Sequence, residues 1–352
     1  MPKEITHIVF ADHTLKEIEK TKLHSYLLNS KDNYHFGALA VDSFYYNLEI
    51  PFIDKNFFQW GDLVHGAEGN NPFLPIYEAL KEIKSIYSKS KEEEKYLSPI
   101  KKQIIKRYKK YNDVNQRISF ICGYLTHCAL DINFHPYVYY FSGNYYDPNK
   151  EESINVQMRH RIIEGWLDYY LIKENSDTYN TDSTFYAFRD DITNLKLLDF
   201  ISYHFANTWY GEKSNIYNSL TRGYFIQKSL NSIFDNKKIK NSAKTLNTIS
   251  KNKLRGYLAL FYPDNFEIPD FIINFKSYKN PVTGDLYNSN FNDLWLQSLK
   301  LSKDFLEAVN EFIFNDNENI LYDVIKGYSL DVGLIETNVK EVKYFSPWSL
   351  SV

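Results

Sequence analysis

Three side chains that commonly bind metal ions recur at four-residue intervals in a largely apolar part of the sequence. His127, Asp131 and His135 lie within residues 123–136. On an α-helix, side chains four residues apart lie on one face, one turn above the next. Imidazole nitrogens and carboxylate oxygens are ligands that suit a divalent metal such as zinc. The spacing therefore predicts one wall of a metal site on a helix.

A second segment repeats this spacing further along the chain, with His160 and Glu164. A lone histidine on an apolar helix is usually a packed core or surface residue, but two such pairs in one chain favour a metal site. Asp168 extends the acidic stripe by one more turn. It is a candidate for a residue that supports the ligands without binding the metal, and it is equally a candidate for a surface acid with no such role.

Further candidates lie near the N-terminus. His7 is the polar interruption of a short apolar segment, and Asp42 follows a run of small and apolar residues. An acid in the position of Asp42 is usually a helix cap or turn former. The more specific alternative is that it binds a metal ion. Asp62 and His65 lie between two glycines, and Asp62 is interpreted as a cap for the next segment of the chain. His65 alone is a weak signal.

Apolar residues at helical spacing predict an all-α bundle. The predicted helices cover residues 13–28, 73–88, 92–110, 113–133, 153–172, 195–210, 215–234 and 291–314. The sequence contains no repeat, no phosphate-binding glycine loop and no run of alternating strands. We predict a single domain over residues 1–352, with an irregular excursion at about 235–290.

Two local features set the predicted boundaries in this bundle. Pro136 disfavours helical geometry at His135, so the helix is expected to end near Asn133 with His135 just past its end. Residues 235–253 are polar and basic and offer little to bury, which predicts a loop.

The charge balance argues against nucleic acid as a partner. Lys and Arg total 41 against 44 Asp and Glu, a formal net charge of −3, whereas a nucleic-acid-binding protein usually carries a basic field. The basic stretch within residues 92–110 is interpreted as a solvated helix face rather than a membrane or nucleic-acid surface.

The two cysteines and the N-terminus indicate the compartment. Cys122 and Cys128 point in different directions on a helix and are interpreted as buried thiols, as expected in a reducing environment. The sequence has no apolar leader segment and no apolar run long enough to span a membrane. The expectation is a soluble, cytoplasmic protein.

Six motifs, taken in order, resemble the zinc-dependent phospholipase C family, a bacterial family related to tri-zinc single-strand nucleases. The motifs are Thr6-His7, Ala40-Val41-Asp42, the Gly61-Asp62-x-x-His65 run, His127-x-x-x-Asp131, His135-Pro136 and His160-x-x-x-Glu164. The likeness covers residues 1–172 by motif and extends weakly to residues 281–310. It implies an all-α fold.

The resemblance also implies a ligand set for three zinc ions. The first zinc would be held by Asp42, His65, His127 and Asp131. The second, bridged to the first by Asp131, would take His7 and, as in secreted members, the amino-terminal nitrogen. The third would take His135, His160 and Glu164. Asp62 and Asp168 are the candidates for supporting these ligands.

The function implied by the resemblance is phosphodiester hydrolysis by a metal-activated water, on a phospholipid or a related head-group ester. Asp42 occupies the position of a carboxylate that ligates zinc or accepts a proton from that water. The additional β domain of the membrane-active secreted lipases is not found in this sequence, so membrane contact is expected to be peripheral at most.

Two alternatives keep the same ligands. A nuclease-type phosphodiesterase would need stacking aromatic side chains and a basic rim. A non-catalytic scaffold would hold zinc in closed, four-coordinate sites. The cysteine-free, acid-rich ligand set favours the catalytic interpretation.

Overall fold

The computed structural model describes residues 3–47, 57–95, 113–252, 254–262 and 268–346. Fourteen α-helices and one two-stranded antiparallel ladder lie in these ranges, which confirms the predicted all-α class. The helices are α1 (Glu4–Glu17), α2 (Lys22–Asn29), α3 (Lys31–Ala40), α4 (Phe57–His65), α5 (Leu74–Lys95), α6 (Asp113–Ser142), α7 (Lys150–Glu174), α8 (Asp191–Trp209), α9 (Lys213–Asn231), α10 (Lys237–Ile249), α11 (Arg255–Leu258), α12 (Asp270–Ile273), α13 (Phe291–Phe314) and α14 (Ile320–Val324). The ladder pairs β1 (Tyr278–Lys279) with β2 (Leu286–Tyr287), and 3₁₀ turns cover Val41–Tyr46 and Val339–Glu341.

Helix α6 is the central element of the described structure. Every residue in 118–132 is buried, as expected of a helix that is surrounded by others. Ile121 and Leu125 belong to an apolar cluster shared with α3 and α8, whereas Leu130 and Phe134 belong to a second cluster shared with α1, α7 and α13. The metal-type residues of α6 therefore lie between two apolar cores.

The prediction that this helix ends near Asn133 is wrong, because α6 continues through Pro136 to Ser142. Pro136 has no N–H to donate to the carbonyl of Ile132. The C-terminal segment packs at this point: Gly333 has a left-handed φ of 67°, and a Cβ there would come within 2.5 Å of the Ile132 carbonyl oxygen. Burial of the whole helix outweighs the local effect of proline, and His135 lies within the helix.

Two glycines allow α3 and α6 to cross at very short range. A Cβ on Gly37 would overlap the carbonyl oxygen of Phe120, and a Cβ on Gly123 would overlap that of Tyr34. The close crossing brings the C-terminal end of α3 to the centre of α6. It thereby places the backbone of Ala38 beside His127.

Three other predicted elements have different boundaries in the structure. Residues 13–28 are not one helix: α1 ends at Glu17, and Thr21 caps a separate α2. Residues 235–253 are not a loop, because they contain α10. The predicted helix over residues 92–110 coincides with the end of α5 as far as Lys95, and the remainder lies outside the described residues.

The prediction for residues 291–314 is confirmed by α13, and Cys122 and Cys128 are buried free thiols as expected. The single-domain assignment of residues 1–352 stays a prediction. None of the helices in the described ranges has the length and apolar content that crossing a membrane would need.

Candidate metal centre

His127 is fixed by the crossing of α3 and α6. Its Nδ1 lies 2.8 Å from the carbonyl oxygen of Ala38, and because a carbonyl only accepts, Nδ1 carries the proton. The other ring nitrogen, Nε2, then faces two carboxylates, 2.9 Å from Asp131 Oδ2 and 3.4 Å from Asp42 Oδ1. The ring is completely buried. The fold thus aims one imidazole nitrogen of α6 at a pair of acids.

His65, the last residue of α4, is held in the same way. Its Nδ1 lies 2.9 Å from the carbonyl oxygen of Gly61, one turn earlier in α4. Its Nε2 lies 3.4 Å from the same Asp42 Oδ1 that faces His127. Asp42 itself lies in the 3₁₀ turn after α3, so this turn and the end of α4 bring the two side chains together.

His7 comes from α1, and its Nε2 lies 3.6 Å from Asp131 Oδ1. Asp168 on α7 anchors the start of that helix. Its carboxylate accepts hydrogen bonds from the backbone N–H of Thr6 at 2.8 Å and of Ile5 at 3.3 Å, and from the Thr6 hydroxyl at 2.6 Å. An anion at the first turn also suits the helix dipole. This arrangement is consistent with the supporting role predicted for Asp168.

A second part of the centre lies between α6 and α7. His160 Nε2 is 3.0 Å from Glu164 Oε1, and His160 Nδ1 is 3.3 Å from the hydroxyl of Ser142 at the end of α6. The ring of His135 lies 5.7 Å from the ring of His160, between centroids. His135 Nε2 is 3.8 Å from Asp131 Oδ2, so Asp131 lies between the two parts of the centre.

The predicted ligands form three groups. Within each group, the candidate ligand atoms all lie within 4.8 Å of one another. The groups are His7 with Asp42 and His127; His65 with His127 and Asp131; and His135 with His160 and Glu164. All of these side chains are buried. The structure therefore brings together all eight residues that the sequence predicts as ligands.

The donor atoms of these groups fit zinc. With zinc bonds of roughly 2.0–2.2 Å, neighbouring atoms of a tetrahedral site lie about 3.3–3.6 Å apart, and the imidazole-to-carboxylate distances above run from 2.9 to 3.8 Å. Several of these candidate metal-binding atoms are buried with no hydrogen-bond partner among the described residues. They are both ring nitrogens of His7 and His135, Nε2 of His127, Oδ1 of Asp42 and both carboxylate oxygens of Asp131. Buried polar atoms rarely stay unpaired, and bound metal ions would satisfy the carboxylate oxygens and one ring nitrogen of each histidine.

The electrostatics of the metal-free centre favour protonation of His127 and His65 but not of His7. Burial alone would lower the pKa of His127, but Asp131 and Asp42 outweigh it and raise that pKa to about 10. Burial, together with the neighbouring His127, lowers the pKa of His7 to about 3. Burial would raise the pKa of Asp42, but His127 and His65 outweigh it and hold that pKa below its ordinary value. Burial alone would lower the pKa of His65, but Asp42 and Asp331 outweigh it and raise that pKa. Without metal, His127 therefore carries a proton at pH 7, and His65 binds one more readily than an ordinary histidine does.

Asp62 does not cap the segment after it, so that interpretation is wrong. It lies inside α4, where its side chain faces tyrosines: the Tyr146 hydroxyl donates to Oδ1 at 2.9 Å and the Tyr45 hydroxyl at 3.4 Å. The ring of Tyr45 lies 4.9 Å from that of His65. Asp62 is thus linked to a predicted ligand through Tyr45, and its supporting role stays a prediction.

One buried acid beside the centre is not predicted by the sequence. Asp331 Oδ1 lies 3.6 Å from His135 Nδ1 and 3.5 Å from the Tyr139 hydroxyl. No spacing signal marks this residue, because it is a single acid in a short apolar stretch far from the other ligands. Only the return of the C-terminal segment to α6 reveals it.

Comparison with known families gives one match. A family model described as zinc dependent phospholipase C matches residues 6–260. No curated protein and no solved structure matches the chain. The matched range contains the eight predicted ligands, whereas Asp331 lies beyond it.

Proposed function

The chain belongs to the zinc-dependent phospholipase C family, and from that membership and the geometry of the centre we propose that it is a zinc-dependent phosphodiester hydrolase. The observation that carries the proposal is the convergence of five buried imidazoles on three carboxylates, with Nε2 of His7, His65, His127 and His160 directed at acid oxygens. Structural zinc sites are closed and often use cysteine, whereas this donor set is typical of catalytic sites.

The three groups suggest two or three zinc ions. His127 belongs to two of the groups, and Asp131 faces ligands of both parts of the centre, as expected of neighbouring ions that share ligands. His135, His160 and Glu164 would hold a further ion. The amino-terminal nitrogen that the family resemblance adds to the set lies outside the described residues.

Bound zinc would polarise the phosphoryl oxygens and lower the pKa of a water molecule towards neutrality. The residues of this chain would orient the bound groups and neutralise their charges. In the metal-free centre His127 and His65 hold the pKa of Asp42 below its ordinary value, so its carboxylate is ionised and available as a zinc ligand. The family resemblance also gives it the position of a carboxylate that accepts a proton from water. The apolar clusters on either side of α6 keep these groups away from bulk solvent. In this buried environment their charges act more strongly on one another than they would in water.

We propose a phospholipid or a related head-group phosphoester as the substrate. The family match supports this class, and the near-neutral charge of the chain favours it over a polynucleotide. A panel of substrates separates the possibilities: a chromogenic phosphodiester for basic activity, dispersed phosphatidylcholine for lipid cleavage, and single-stranded DNA for the nuclease alternative. Activity on DNA alone would replace the lipid proposal with the nuclease one.

The key test is the Asp42→Asn variant. We expect hydrolysis of the chromogenic phosphodiester to fall by roughly 10²–10⁴-fold, the range for loss of a general base, while most of the bound zinc is retained by the other ligands. Zinc content is measured by elemental analysis of protein purified without chelator. Retained activity would remove Asp42 from the mechanism, and zinc-free parent protein would overturn the proposal itself.

Asp12→Asn is the matched control. Asp12 is another buried carboxylate of the N-terminal helices, and it accepts from His35 Nε2 and from the Tyr179 hydroxyl, both at 2.8 Å. It belongs to none of the three groups. We expect this variant to lose stability but to keep its zinc and its activity per folded molecule.

A further inference from the structure

A buried carboxylate outside the family match faces a histidine of the metal centre. We infer that Asp331 is a positioning residue of this centre, which accepts a hydrogen bond from His135 Nδ1–H and so presents Nε2 of that ring to zinc. The inference rests on the metal centre proposed above. It assigns a role to the C-terminal segment, which the family match at residues 6–260 does not include.

The C-terminal segment is attached to the centre by backbone hydrogen bonds. The N–H of Leu330 donates to the carbonyl of His65, and the N–H of Val339 donates to that of Ala67, each at 2.8 Å. Between these two points Gly333 packs against α6 at the carbonyl that Pro136 leaves without a helical donor. The segment therefore joins the end of α4 to the part of α6 that carries His135.

Asp331 is buried in this junction, with 5% of its surface exposed. Its Oδ1 lies 3.6 Å from His135 Nδ1, and its Oδ2 has no hydrogen-bond partner among the described residues. Oδ1 accepts from the Tyr139 hydroxyl at 3.5 Å, but a buried carboxylate oxygen without a partner is costly. The separation is about half an ångström beyond an N–H···O hydrogen bond, so a small movement of either side chain would close it.

The other histidines show what this contact would complete. Nδ1 of His127 and of His65 each meets a backbone carbonyl, and Nδ1 of His160 meets the Ser142 hydroxyl, while Nε2 of each faces a carboxylate of the ligand set. His135 has the same orientation, with Nε2 towards Asp131. An oxygen acceptor on the far nitrogen fixes the tautomer and the ring orientation of a metal-bound histidine. Asp331 is the oxygen acceptor at that position for His135.

Asp331 does not act as a direct ligand. Its oxygens belong to none of the three groups of candidate ligand atoms within the described residues. Its contact with the centre is through His135, on the side of the ring away from Asp131. The consequence of removing it should therefore be weaker binding of one metal ion rather than loss of a coordination bond.

The test measures zinc affinity, independently of hydrolysis. The zinc-loaded protein is titrated with a competing chelator, and the visible spectrum of the cobalt-substituted protein reports the geometry of each site. We expect Asp331→Ala to bind one zinc equivalent roughly 10–100-fold more weakly, the usual effect of losing such a partner, and to alter the spectrum of one cobalt ion. Asp331→Asn should recover part of the affinity, because its amide oxygen still accepts a hydrogen bond.

Val332→Ala is the matched control, since Val332 is fully buried in the same segment but carries no acceptor. We expect it to lower stability with no change in zinc affinity. Unchanged zinc affinity in Asp331→Ala, or an equal loss in Val332→Ala, would overturn the inference. If Asp331→Ala does not fold, Asp331→Asn alone decides, and parental affinity together with the parental cobalt spectrum would then count against the inference. A parent protein that binds no zinc would instead refute the proposed function.

Discussion

The imidazole rings of His7 and His127 are stacked face to face, with centroids 3.8 Å apart and planes 7° from parallel. The two rings come from α1 and α6, which are far apart in sequence. Two imidazolium ions cannot share such a buried stack, because like charges at this distance repel strongly. Burial, together with repulsion from His127, lowers the pKa of His7 to about 3, whereas Asp131 and Asp42 raise that of His127 to about 10.

Zinc binding should therefore release a proton from His127. Its pKa is raised above the ordinary histidine value, so at pH 7 the metal-free centre holds a proton that zinc must displace. We expect release of about one proton from His127 at pH 7, with a further contribution from His65, whose pKa is also raised, and a zinc affinity that rises at least about tenfold per pH unit until pH 10. Calorimetry in two buffers of different ionisation enthalpy measures the proton count directly.

Two predicted ligands beside His127 do not take part in the proton release. His7 has a pKa near 3 and is already neutral at pH 7, and Asp42 is already ionised, so neither contributes a proton. A His127→Ala variant should lose most of the proton release along with part of its zinc. Proton-free binding of zinc by the parent protein would contradict the assignment of the proton to His127.

His160→Ala tests the second part of the centre. His160 and Glu164 lie 3.0 Å apart at the ligand atoms, and they form a group with His135 only. We expect the variant to lose about one zinc equivalent and to unfold at a lower temperature, because metal binding contributes to folding free energy. Elemental analysis and thermal unfolding, with and without chelator, measure the two effects.

The control for this variant is His204→Ala. His204 is also a buried histidine on a helix, but its Nε2 lies 3.2 Å from Glu82 and it belongs to none of the three groups. It should lower stability equally with and without chelator and keep the full zinc content. Unchanged metal content in His160→Ala would mean that the His160–Glu164 pair has only a structural role.

The site was more predictable from sequence than its surroundings, because ligand spacing is a local signal. Four-residue intervals on α6 and α7 place His127 above Asp131 and His160 above Glu164 regardless of how the helices pack. Local rules failed at Pro136, where burial of α6 on all sides keeps the helix intact. They could not identify Asp331, whose proximity to His135 depends on the return of a distant segment.

Helix α10 was missed for a different physical reason. Its inward face is polar: Lys240 Nζ donates to the Tyr262 carbonyl at 2.6 Å, and the Asn247 side chain accepts from the Leu254 N–H at 2.9 Å. Ile249, in contrast, is 75% exposed. A pattern search looks for apolar residues on the buried face, and this helix has the opposite arrangement.

The crossing of α3 and α6 supplies a test that links packing to the metal centre. A Cβ on Gly37 would overlap the Phe120 carbonyl oxygen, which cannot move aside as a flexible side chain would. We expect Gly37→Ala to lower the free energy of unfolding by about 3 kcal/mol, the upper part of the range for overpacking. Separation of the helices would also draw the Ala38 carbonyl away from His127 Nδ1, so zinc affinity should fall as well.

Gly256→Ala provides the comparison, because a Cβ at that position of α11 would meet only Arg161 Nη1 at 3.7 Å and Ile154 at 4.0 Å. These are ordinary contacts, and we expect a stability change within about 1 kcal/mol together with unchanged zinc affinity. Chemical denaturation and chelator competition on both variants measure the two quantities. If Gly37→Ala is as stable as Gly256→Ala, the helices tolerate separation. If Gly37→Ala is destabilised but binds zinc normally, His127 does not depend on the crossing for its orientation.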